Sequence, residues 1–380
     1  MQRHQVEPRW DWERRLEDLG FLWHTADGVT YWSESAYYQF TGDEVAQIEQ
    51  ASEELGRLFL AAGDYVVREH RFAEFGIPDW CVPLIIEAWE HEPPALNYGR
   101  FDLGMDGNGT IKLFEFNCDT PTSLIEASVV QWFWKQDVFP EHDQFNAIHE
   151  ALVSQWAAIA PRLSGRHVHF AHIADRLGED TLTTAYMMDV AKEAGLEATR
   201  LTMRDIGWKD GADGGFFDLE GRHIDTLYKL YPWEWLVSEP FGRNIAADPG
   251  STLWIEPIWK MIWSNKAILA VLWRLFPSHP NLLWAGHHPP PTDSFVRKPL
   301  LGREGSNVAI VRNGQTLAEN NGRWAGPSIY QGFFDIPVHD GHYPIIGSWM
   351  VDGVAVGMGV REGGRITANL DRFVPHVIAI

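Results

Sequence analysis

Cysteine is scarce in this 380-residue sequence, in which Cys81 and Cys118 are the two examples. Two cysteines cannot build a disulfide framework, and neither has a partner at the Cys-x-x-Cys spacing of a zinc site. Basic residues are also few, since 31 Lys and Arg face 52 Asp and Glu and give a formal net charge of -21. A surface that follows nucleic-acid phosphates needs an excess of Lys and Arg, so nucleic-acid binding is not expected.

Long apolar runs are missing as well. The sequence contains no stretch of about 18 apolar residues that could cross a bilayer. Its first twenty residues mix acids, bases and tryptophans, whereas a secretory signal has a basic start followed by an apolar stretch. These features predict a soluble, cytoplasmic protein with no membrane partner. The length predicts two or three packed subdomains with a large core.

Two common nucleotide-binding motifs are absent. The sequence has no GxxxxGK[ST] segment, and GMGVREGG departs from GxGxxG because Glu362 occupies the final glycine position. Ordinary P-loop and dinucleotide-binding folds are therefore excluded. Any nucleotide site must use another architecture.

Hydrophobic patterning divides the chain into four parts and predicts a fold of the α+β or α/β class. Residues 1–97 should be mainly helical, with Thr41 as an N-cap before an apolar residue pattern of helical period. Residues 98–165 begin with two alternating segments around a Gly- and Asn-rich turn, which predicts a hairpin followed by a helix. Residues 166–250 show a strand, helix, strand pattern typical of a parallel sheet flanked by helices. Residues 251–380 start as helix and continue after the Pro-rich HHPPP break as short strands.

The predicted hairpin, RFDLGMDGNGTIKLFEFN, carries the first candidate site. Alternation gives each strand a polar face, with Arg100 and Asp102 on the first strand, Glu115 and Asn117 on the second, and Phe114 and Phe116 on the opposite face. The polar faces coincide if Asp102 lies opposite Glu115. Two carboxylates and an amide oxygen suit Mg²⁺, which prefers oxygen ligands. The alternative is a solvated face on which Arg100 pairs with one of the carboxylates.

The segment FVRKPLLGREGSNVAIV carries the second candidate site. Lys298 ends an apparent strand, and a loop with Gly302, Arg303, Glu304 and Gly305 follows before the next strand. Backbone N–H groups of such a loop can close over phosphates, while lysine supplies a point charge and arginine a planar fork. This predicts a lid over ATP. The alternative is a plain hairpin turn, because glycine often marks turns between strands.

Taken in order along the chain, the motifs resemble the synthetase domain of the glutathionylspermidine synthase family. The resembling segments are GRFD, EFNCDTPTSLIEA, SNKAILAVLW, RKPLLGREGSNV, IYQGFFDIP, YPIIGSWMVDGVAVGMGVRE and RFVPH. The resemblance implies an ATP-grasp-like fold with an associated pre-ATP-grasp-like α/β subdomain at 166–250. It also implies an ATP- and Mg²⁺-dependent ligase that joins a carboxylate to an amine through an acyl phosphate, in a stand-alone form without an amidase domain.

The resemblance assigns roles to individual residues. The implied metal ligands are Asp102, Glu115 and Asn117. The implied nucleotide contacts are Lys266, Lys298, Gly302, Glu304, Gly305, Tyr330, Gln331 and Gly332, of which the last three border the adenine. The arginines implied to stabilise the transferring phosphoryl group or hold the acyl substrate are Arg100, Arg303 and Arg361.

The substrate residues implied by the resemblance are Thr120 and Thr122 for a peptide carboxylate, and Glu179 and Asp180 for a polyamine. Helix N-capping is the alternative for all four. The implied substrates are a small or peptide carboxylate such as glutathione and an amine such as spermidine, although TPTS replaces a serine-rich stretch of the family. No obligate protein partner is expected. A phosphotransferase and a non-catalytic ATP-binding module are the alternative functions, since both would share the metal, lysines and lid.

Overall fold

The computed structural model describes residues 1–26, 28–175, 178–211, 213–248, 250–322, 326–368 and 371–380. Its α-helices are α1 (Trp12–Asp18), α2 (Gly42–Arg68), α3 (Val82–His91), α4 (Gln131–Val138), α5 (Ile148–Ile159), α6 (Glu179–Glu193), α7 (Trp233–Leu236), α8 (Asn244–Ala247), α9 (Lys260–Trp263) and α10 (Ile268–Leu275). A π-helical turn, Glu126–Val130, runs directly into α4. Short 3₁₀ turns occur at Phe72–Phe75, Asp79–Cys81, Ala160–Arg162, Met203–Asp205 and Pro240–Arg243.

The strands are β1 (Gln2–Gln5), β2 (Thr25–Ala26), β3 (Val29–Thr30), β4 (Ala36–Phe40), β5 (Gly99–Met105), β6 (Ile111–Asn117), β7 (His167–His172), β8 (Glu197–Thr202), β9 (Gly207–Lys209), β10 (Gly215–Phe217), β11 (Thr226–Leu230), β12 (Leu253–Ile255), β13 (Ala285–Gly286), β14 (Phe295–Pro299), β15 (Ala309–Arg312), β16 (Gln315–Glu319), β17 (Ser328–Gly332), β18 (Tyr343–Val351), β19 (Val354–Gly363), β20 (Arg372–Val374) and β21 (His376–Ile378).

Helix α2 begins at the predicted cap. The Thr41 side chain accepts the Glu44 backbone N–H, and the Glu44 carboxylate accepts the Thr41 backbone N–H, which confirms Thr41 as the N-cap. The helix buries Phe59 against Phe101 of the hairpin. Before α2, strands β1 and β4 form a sheet with β21. The sequence pattern missed these strands because they mix polar and apolar residues.

The predicted hairpin is β5 and β6, within an antiparallel sheet of order β20-β19-β18-β5-β6. Asp102 lies opposite Glu115, which confirms the register that brings the polar faces together. Phe116 stacks on Phe101 on the core side, with ring centroids 3.9 Å apart. The prediction that Phe114 shares this face is wrong. A β-bulge pairs Asp102 with Glu115 and Leu103 with Leu113, so Phe114 is the extra residue and the bulge changes its direction.

The predicted strand, helix, strand unit is β7, α6 and β8 in a parallel sheet of order β12-β11-β7-β8. The helix predicted to begin near residue 254 starts later. Leu253–Ile255 pairs with β11 as a strand, and Pro257 separates it from α9 at Lys260–Trp263. Pairing within the buried sheet here overrides the helical spacing of the tryptophans.

A second antiparallel sheet, of order β13-β17-β14-β15-β16, faces the hairpin sheet. It carries Lys298 at the end of β14 and Gln331 on β17, and the predicted glycine loop joins β14 to β15. The two antiparallel sheets and the carboxyl ends of the parallel strands meet around one cavity. Within the described residues, no helix is both long and apolar enough to cross a membrane.

Candidate active site

A cavity of about 380 Å³ lies between the two antiparallel sheets. All the predicted site residues line it except Tyr330. The Tyr330 ring instead packs edge-on against Phe295, with centroids 5.6 Å apart, because β17 alternates its side chains between two faces. The adjacent Gln331 and Gly332 do line the cavity, and the contact of these three residues with adenine stays a prediction.

The polar face of the hairpin forms one part of the cavity wall. Arg100 donates from Nε to Asp102 Oδ1 at 2.7 Å and from Nη2 to Asp102 Oδ2 at 3.2 Å. Asn117 Nδ2 donates to Asp102 Oδ2 at 3.1 Å and to Glu115 Oε1 at 3.3 Å. Burial disfavours the Arg100 charge, but Asp102 outweighs that effect and raises the Arg100 pKa. The two alternatives for the hairpin therefore occur together: Arg100 pairs with Asp102, and Asn117 links the carboxylates of Asp102 and Glu115.

The donor set fits a hard divalent cation. Two carboxylates and one amide converge, and binding a cation requires Asn117 to present its amide oxygen in place of the nitrogen. Within the described ranges, no group of three or more His, Cys, Asp or Glu side chains could hold a metal ion. A Mg²⁺ ion on Asp102 and Glu115 would therefore complete its shell with water and phosphate oxygens, as Mg²⁺ commonly does.

Two lysines adjoin Glu115. Lys266 Nζ lies 3.2 Å from Glu115 Oε2 and donates to the Gly302 carbonyl at 2.7 Å. Lys298 Nζ donates to Gln331 Oε1 at 2.8 Å. Burial would raise the Glu115 pKa, but the charges of Lys266 and Lys298 lower it to about 2. Burial lowers the Lys298 pKa to about 8, although Glu115 opposes this change. This arrangement keeps Glu115 ionised and gives Lys298 a charge that titrates near neutral pH.

The loop between β14 and β15 closes one side of the cavity. Arg303 donates from Nη1 to Thr120 Oγ1 at 3.1 Å and from Nη2 to Glu234 Oε1 at 2.5 Å. Thr122 contributes its carbonyl, which accepts from Arg100 Nη1. The Thr120 hydroxyl therefore contacts the loop arginine, which is not an N-capping contact. On the other side, Arg361 Nη2 donates to the Ala368 carbonyl at 2.6 Å.

Acidic residues at the start of α6 form another part of the cavity wall. The Asp175 carboxylate accepts the backbone N–H of Glu179 at 2.8 Å and of Thr181 at 3.4 Å. Asp175 therefore caps the first turn of α6 from outside the helix, whose N-cap residue is Gly178, and the carboxylates of Glu179 and Asp180 line the cavity. Burial, followed by the charges of Glu126 and Asp180, raises the Glu179 pKa to about 8. Burial, followed by Asp175, raises the Asp180 pKa to about 6.

Sequence reasoning missed several residues at this site. Phe114 lies over Gly104, where an added Cβ would sit 2.4 Å from Phe114 Cζ, and lines the cavity. The bulge that brings it there has no signature in the sequence. Trp235 lines the cavity and lies under the Arg303 guanidinium. Its segment, PWEWL, also contains Trp233, which is buried in the core.

Comparison with known proteins identifies relatives along the whole chain. A provisionally named acid–amine ligase from Haemophilus influenzae is 40% identical over 383 residues, covering 96% of this chain and 96% of that protein. Trypanothione synthetase from Crithidia fasciculata is 30% identical over 346 residues, covering 82% of this chain and 52% of that protein. The bifunctional glutathionylspermidine synthetase/amidase of Escherichia coli is 29% identical over 373 residues, covering 90% of this chain and 59% of that protein.

The last two proteins are longer than this chain, which spans between half and three fifths of each. Among solved structures, a glutathione synthetase-like effector from Globodera pallida aligns with a TM-score of 0.58 and 12% identity, covering 99% of this chain and 98% of that one. At this identity the likeness concerns the fold, and it agrees with the mixed α/β architecture. Residues 3–379 match the family described as "Glutathionylspermidine synthase preATP-grasp". The chain therefore belongs to the glutathionylspermidine synthase family, as its motifs predicted.

Proposed function

We propose that this protein is an ATP-dependent carboxylate–amine ligase that forms an amide through an acyl phosphate. One observation carries the proposal: a single cavity is lined both by cationic side chains around the hairpin carboxylates and by crowded carboxylates at the start of α6. Arg100, Lys266 and Lys298 supply positive charge beside the hairpin carboxylates. Glu179 and Asp180 supply the crowded carboxylates. Anionic ATP and a carboxylate suit the first group, and a protonated amine suits the second.

The four parts of the chain contribute differently to this proposed site. Residues 98–165 supply the hairpin carboxylates, 166–250 the acids at the start of α6, and 251–380 the two lysines and the loop. Residues 1–97 support the hairpin, since Phe59 packs on its core face. We infer a reducing cytoplasm as the place of action, where the buried Cys81 and Cys118 would remain thiols.

Several residues of the cavity are suited to binding the phosphates of ATP. Lys298 and Lys266 would hold phosphates of ATP, and Gln331 orients Lys298 through its 2.8 Å hydrogen bond. Asp102, Glu115 and Asn117 would hold Mg²⁺, which offsets the negative charge that develops during phosphoryl transfer. Gln331 and Gly332 would border the adenine at the end of β17, with Tyr330 contributing through its backbone.

The chemistry requires positioning but no protein nucleophile. An oxygen of the substrate carboxylate attacks the γ-phosphorus, the bond from that phosphorus to the β–γ bridging oxygen breaks, and ADP leaves. The amine nitrogen then attacks the acyl carbon, phosphate leaves, and the nitrogen loses a proton. Arg100, Arg303 and Arg361 would stabilise the charge on the transferring group and the carboxylate. The loop with Gly302, Glu304 and Gly305 would keep water from the acyl phosphate.

The names of the relatives suggest the substrates. We infer that the acyl donor is a peptide carboxylate such as glutathione, held near Thr120 and Thr122, and that the amine is a polyamine such as spermidine. The acids at the start of α6 support the second inference. Asp175 already caps this helix, so Glu179 and Asp180 have no capping role that would account for their crowding.

The first test measures ADP release by purified protein with Mg·ATP and glutathione, with and without spermidine. We expect ADP, phosphate and amide in equal amounts when all substrates are present. With ¹⁸O in the glutathione carboxylates, one labelled oxygen should appear in phosphate, because the acyl phosphate transfers it. Hydroxylamine in place of spermidine should yield a hydroxamate. Phosphate without label would exclude an acyl phosphate, and a stable phosphorylated acceptor would indicate a phosphotransferase.

Variants connect the test to the two parts of the cavity wall. Asp102→Ala should abolish all ATP turnover, because it removes a carboxylate from the proposed metal site. Glu179→Gln should retain hydroxamate formation with hydroxylamine but weaken the use of spermidine, because only the cation-accepting part changes. Equal loss of both activities in Glu179→Gln would contradict the assignment of that part to the amine.

A further inference from the structure

Arg303 sits on a preformed set of contacts outside the β14–β15 loop that carries it. Its Nη1 and Nη2 atoms donate to Thr120 and Glu234, and its guanidinium lies 5.5 Å from the Trp235 ring centroid. The side chains of Arg303 and Glu234 are 32% and 12% exposed, so the ion pair is partly shielded from water. The loop is therefore tied to two separate elements, the segment after β6 and helix α7.

A buried ion pair holds those two elements together. Lys229, near the end of β11, donates from Nζ to Asp119 Oδ1 at 2.7 Å, and both side chains are almost fully buried. The other oxygen, Asp119 Oδ2, accepts the backbone N–H of Trp233 at 2.7 Å. Asp119 precedes Thr120 in sequence and Trp233 precedes Glu234. Each partner of Arg303 is thus adjacent to a residue that the Asp119–Lys229 pair fixes.

We propose that Glu234 and the Asp119–Lys229 pair are positioning residues that dock Arg303 and hold the glycine loop closed over the cavity. Glu234 and Thr120 orient the guanidinium, Trp235 supports its face, and the buried pair sets the distance between the two acceptors. Arg303 lines the cavity while it is docked, so it can still meet a phosphate or carboxylate oxygen there. The catalytic consequence rests on the proposed ligase function, whereas the docking itself does not.

Charge and geometry explain why arginine suits the contacts with Thr120, Glu234 and Trp235. A guanidinium can donate to two acceptors from separate nitrogens while its planar face stacks on an aromatic ring, whereas a tetrahedral ammonium group has no planar face to stack. The buried Asp119–Lys229 pair is costly to separate, since removal of one partner leaves an uncompensated charge. The rigid pair thus provides a fixed site on which a loop rich in glycine can settle in one conformation.

Hydrogen–deuterium exchange of the ligand-free protein tests the proposal directly. The readout is the exchange rate of peptides covering residues 300–308, together with the free energy of unfolding in urea. Glu234→Gln should speed exchange in this loop by about fivefold, the effect of losing a partly exposed ion pair. Its unfolding free energy should fall by the same small amount and no more, because both the open loop and the unfolded chain lack this ion pair. Glu239→Gln is the matched control, because Glu239 accepts from Tyr231 and lies on the same segment.

A double-mutant cycle separates docking from a general effect on the fold. In an Arg303→Gln background, Glu234→Gln should change loop exchange no further, because its partner is already lost. Glu234→Asp should restore part of the protection, since it keeps the carboxylate. Wild-type exchange in Glu234→Gln, or an equal increase in both backgrounds, would overturn the role of Glu234.

The buried pair needs its own variant. Asp119→Asn keeps an acceptor for the Trp233 N–H and removes the charge that Lys229 neutralises, so it should speed exchange in residues 300–308 and in α7 together. A folded Asp119→Asn protein with a fully protected loop would show that Asp119 and Lys229 do not position Arg303. These measurements contain no substrate, so they stand even if the protein fails to join glutathione and spermidine.

Discussion

Replacement of Glu179 by glutamine should stabilise the ligand-free protein, and more at pH 8 than at pH 6. The Glu179 pKa is raised from its ordinary value of 4.5 to about 8 by burial and by the charges of Glu126 and Asp180. The native state therefore prefers the protonated carboxyl. The stability that this proton provides is complete below about pH 4.5 and is lost as pH rises through about 8.

The magnitude follows from the two pKa values. Each pH unit between them corresponds to about 1.4 kcal/mol. Relative to pH 4.5, Glu179 therefore lowers the free energy of unfolding by up to about 2 kcal/mol at pH 6 and about 4 kcal/mol at pH 8. Rearrangement of side chains and water around this half-buried group reduces the cost, so we expect Glu179→Gln to gain about 1 kcal/mol at pH 6 and about 2 kcal/mol at pH 8.

The assay is urea unfolding of wild type and variant at half-unit intervals from pH 6 to 9. Asp189→Asn is the control, because Asp189 lies on the same helix and its side chain is 75% exposed. Addition of spermidine should reverse the order, since a bound cation stabilises the ionised carboxylates of wild type. A stability difference between Glu179→Gln and wild type that does not grow with pH would refute the crowding of acids at the start of α6.

Three further outcomes concern the other part of the cavity. Asp102→Ala should lose the Mg²⁺-dependent thermal stabilisation by ATP, as measured by differential scanning fluorimetry, and should unfold at a lower temperature without ligand because the buried Arg100 charge loses its partner. Lys298→Met should raise the KM for ATP about tenfold, and the wild-type KM should itself rise above pH 8 as Lys298, whose pKa is about 8, loses its charge. Gly305→Ala should weaken ATP binding measured by calorimetry, because its φ is 66° and an added Cβ would lie 2.3 Å from the Thr367 carbonyl oxygen; Gly314→Ala, with φ of 73° and open space, is the control. Wild-type behaviour in any of these variants would contradict the corresponding assignment.

Local patterns predicted the hairpin and its register. Strict alternation on both sides of a Gly- and Asn-rich turn is a short-range signal, and one slip would place Glu115 and Asn117 against the core. The cap at Thr41 was predictable for the same reason, because all its contacts lie within four residues. The parallel β7 and β8 unit followed from the change in hydrophobic period.

Long-range contacts were not predictable in this way. Asp119 and Lys229 are separated by 110 positions, and nothing in either segment marks them as partners. Asp175, four residues before Glu179, accepts the first-turn N–H groups of α6, although the N-cap residue is Gly178. Spacing alone could not show which of three acids would make these contacts. The cavity residues could be assigned to one site only through the family resemblance. The resemblance implies a fold, whereas the spacing of residues within one segment does not.

The bulge at Phe114 sets which insertions this site could tolerate. It is the single extra residue that lets Asp102 oppose Glu115 while Leu103 opposes Leu113. Deleting or adding one residue between Ile111 and Phe114 would remove or enlarge this bulge. The side chains on one side of it would then point to the other face of the sheet. The turn from Asp106 to Thr110, whose side chains are mostly exposed, should accept extra residues without moving the carboxylates. We therefore expect the hairpin to accept changes in length at its tip, whereas the strand between tip and site needs a fixed number of residues.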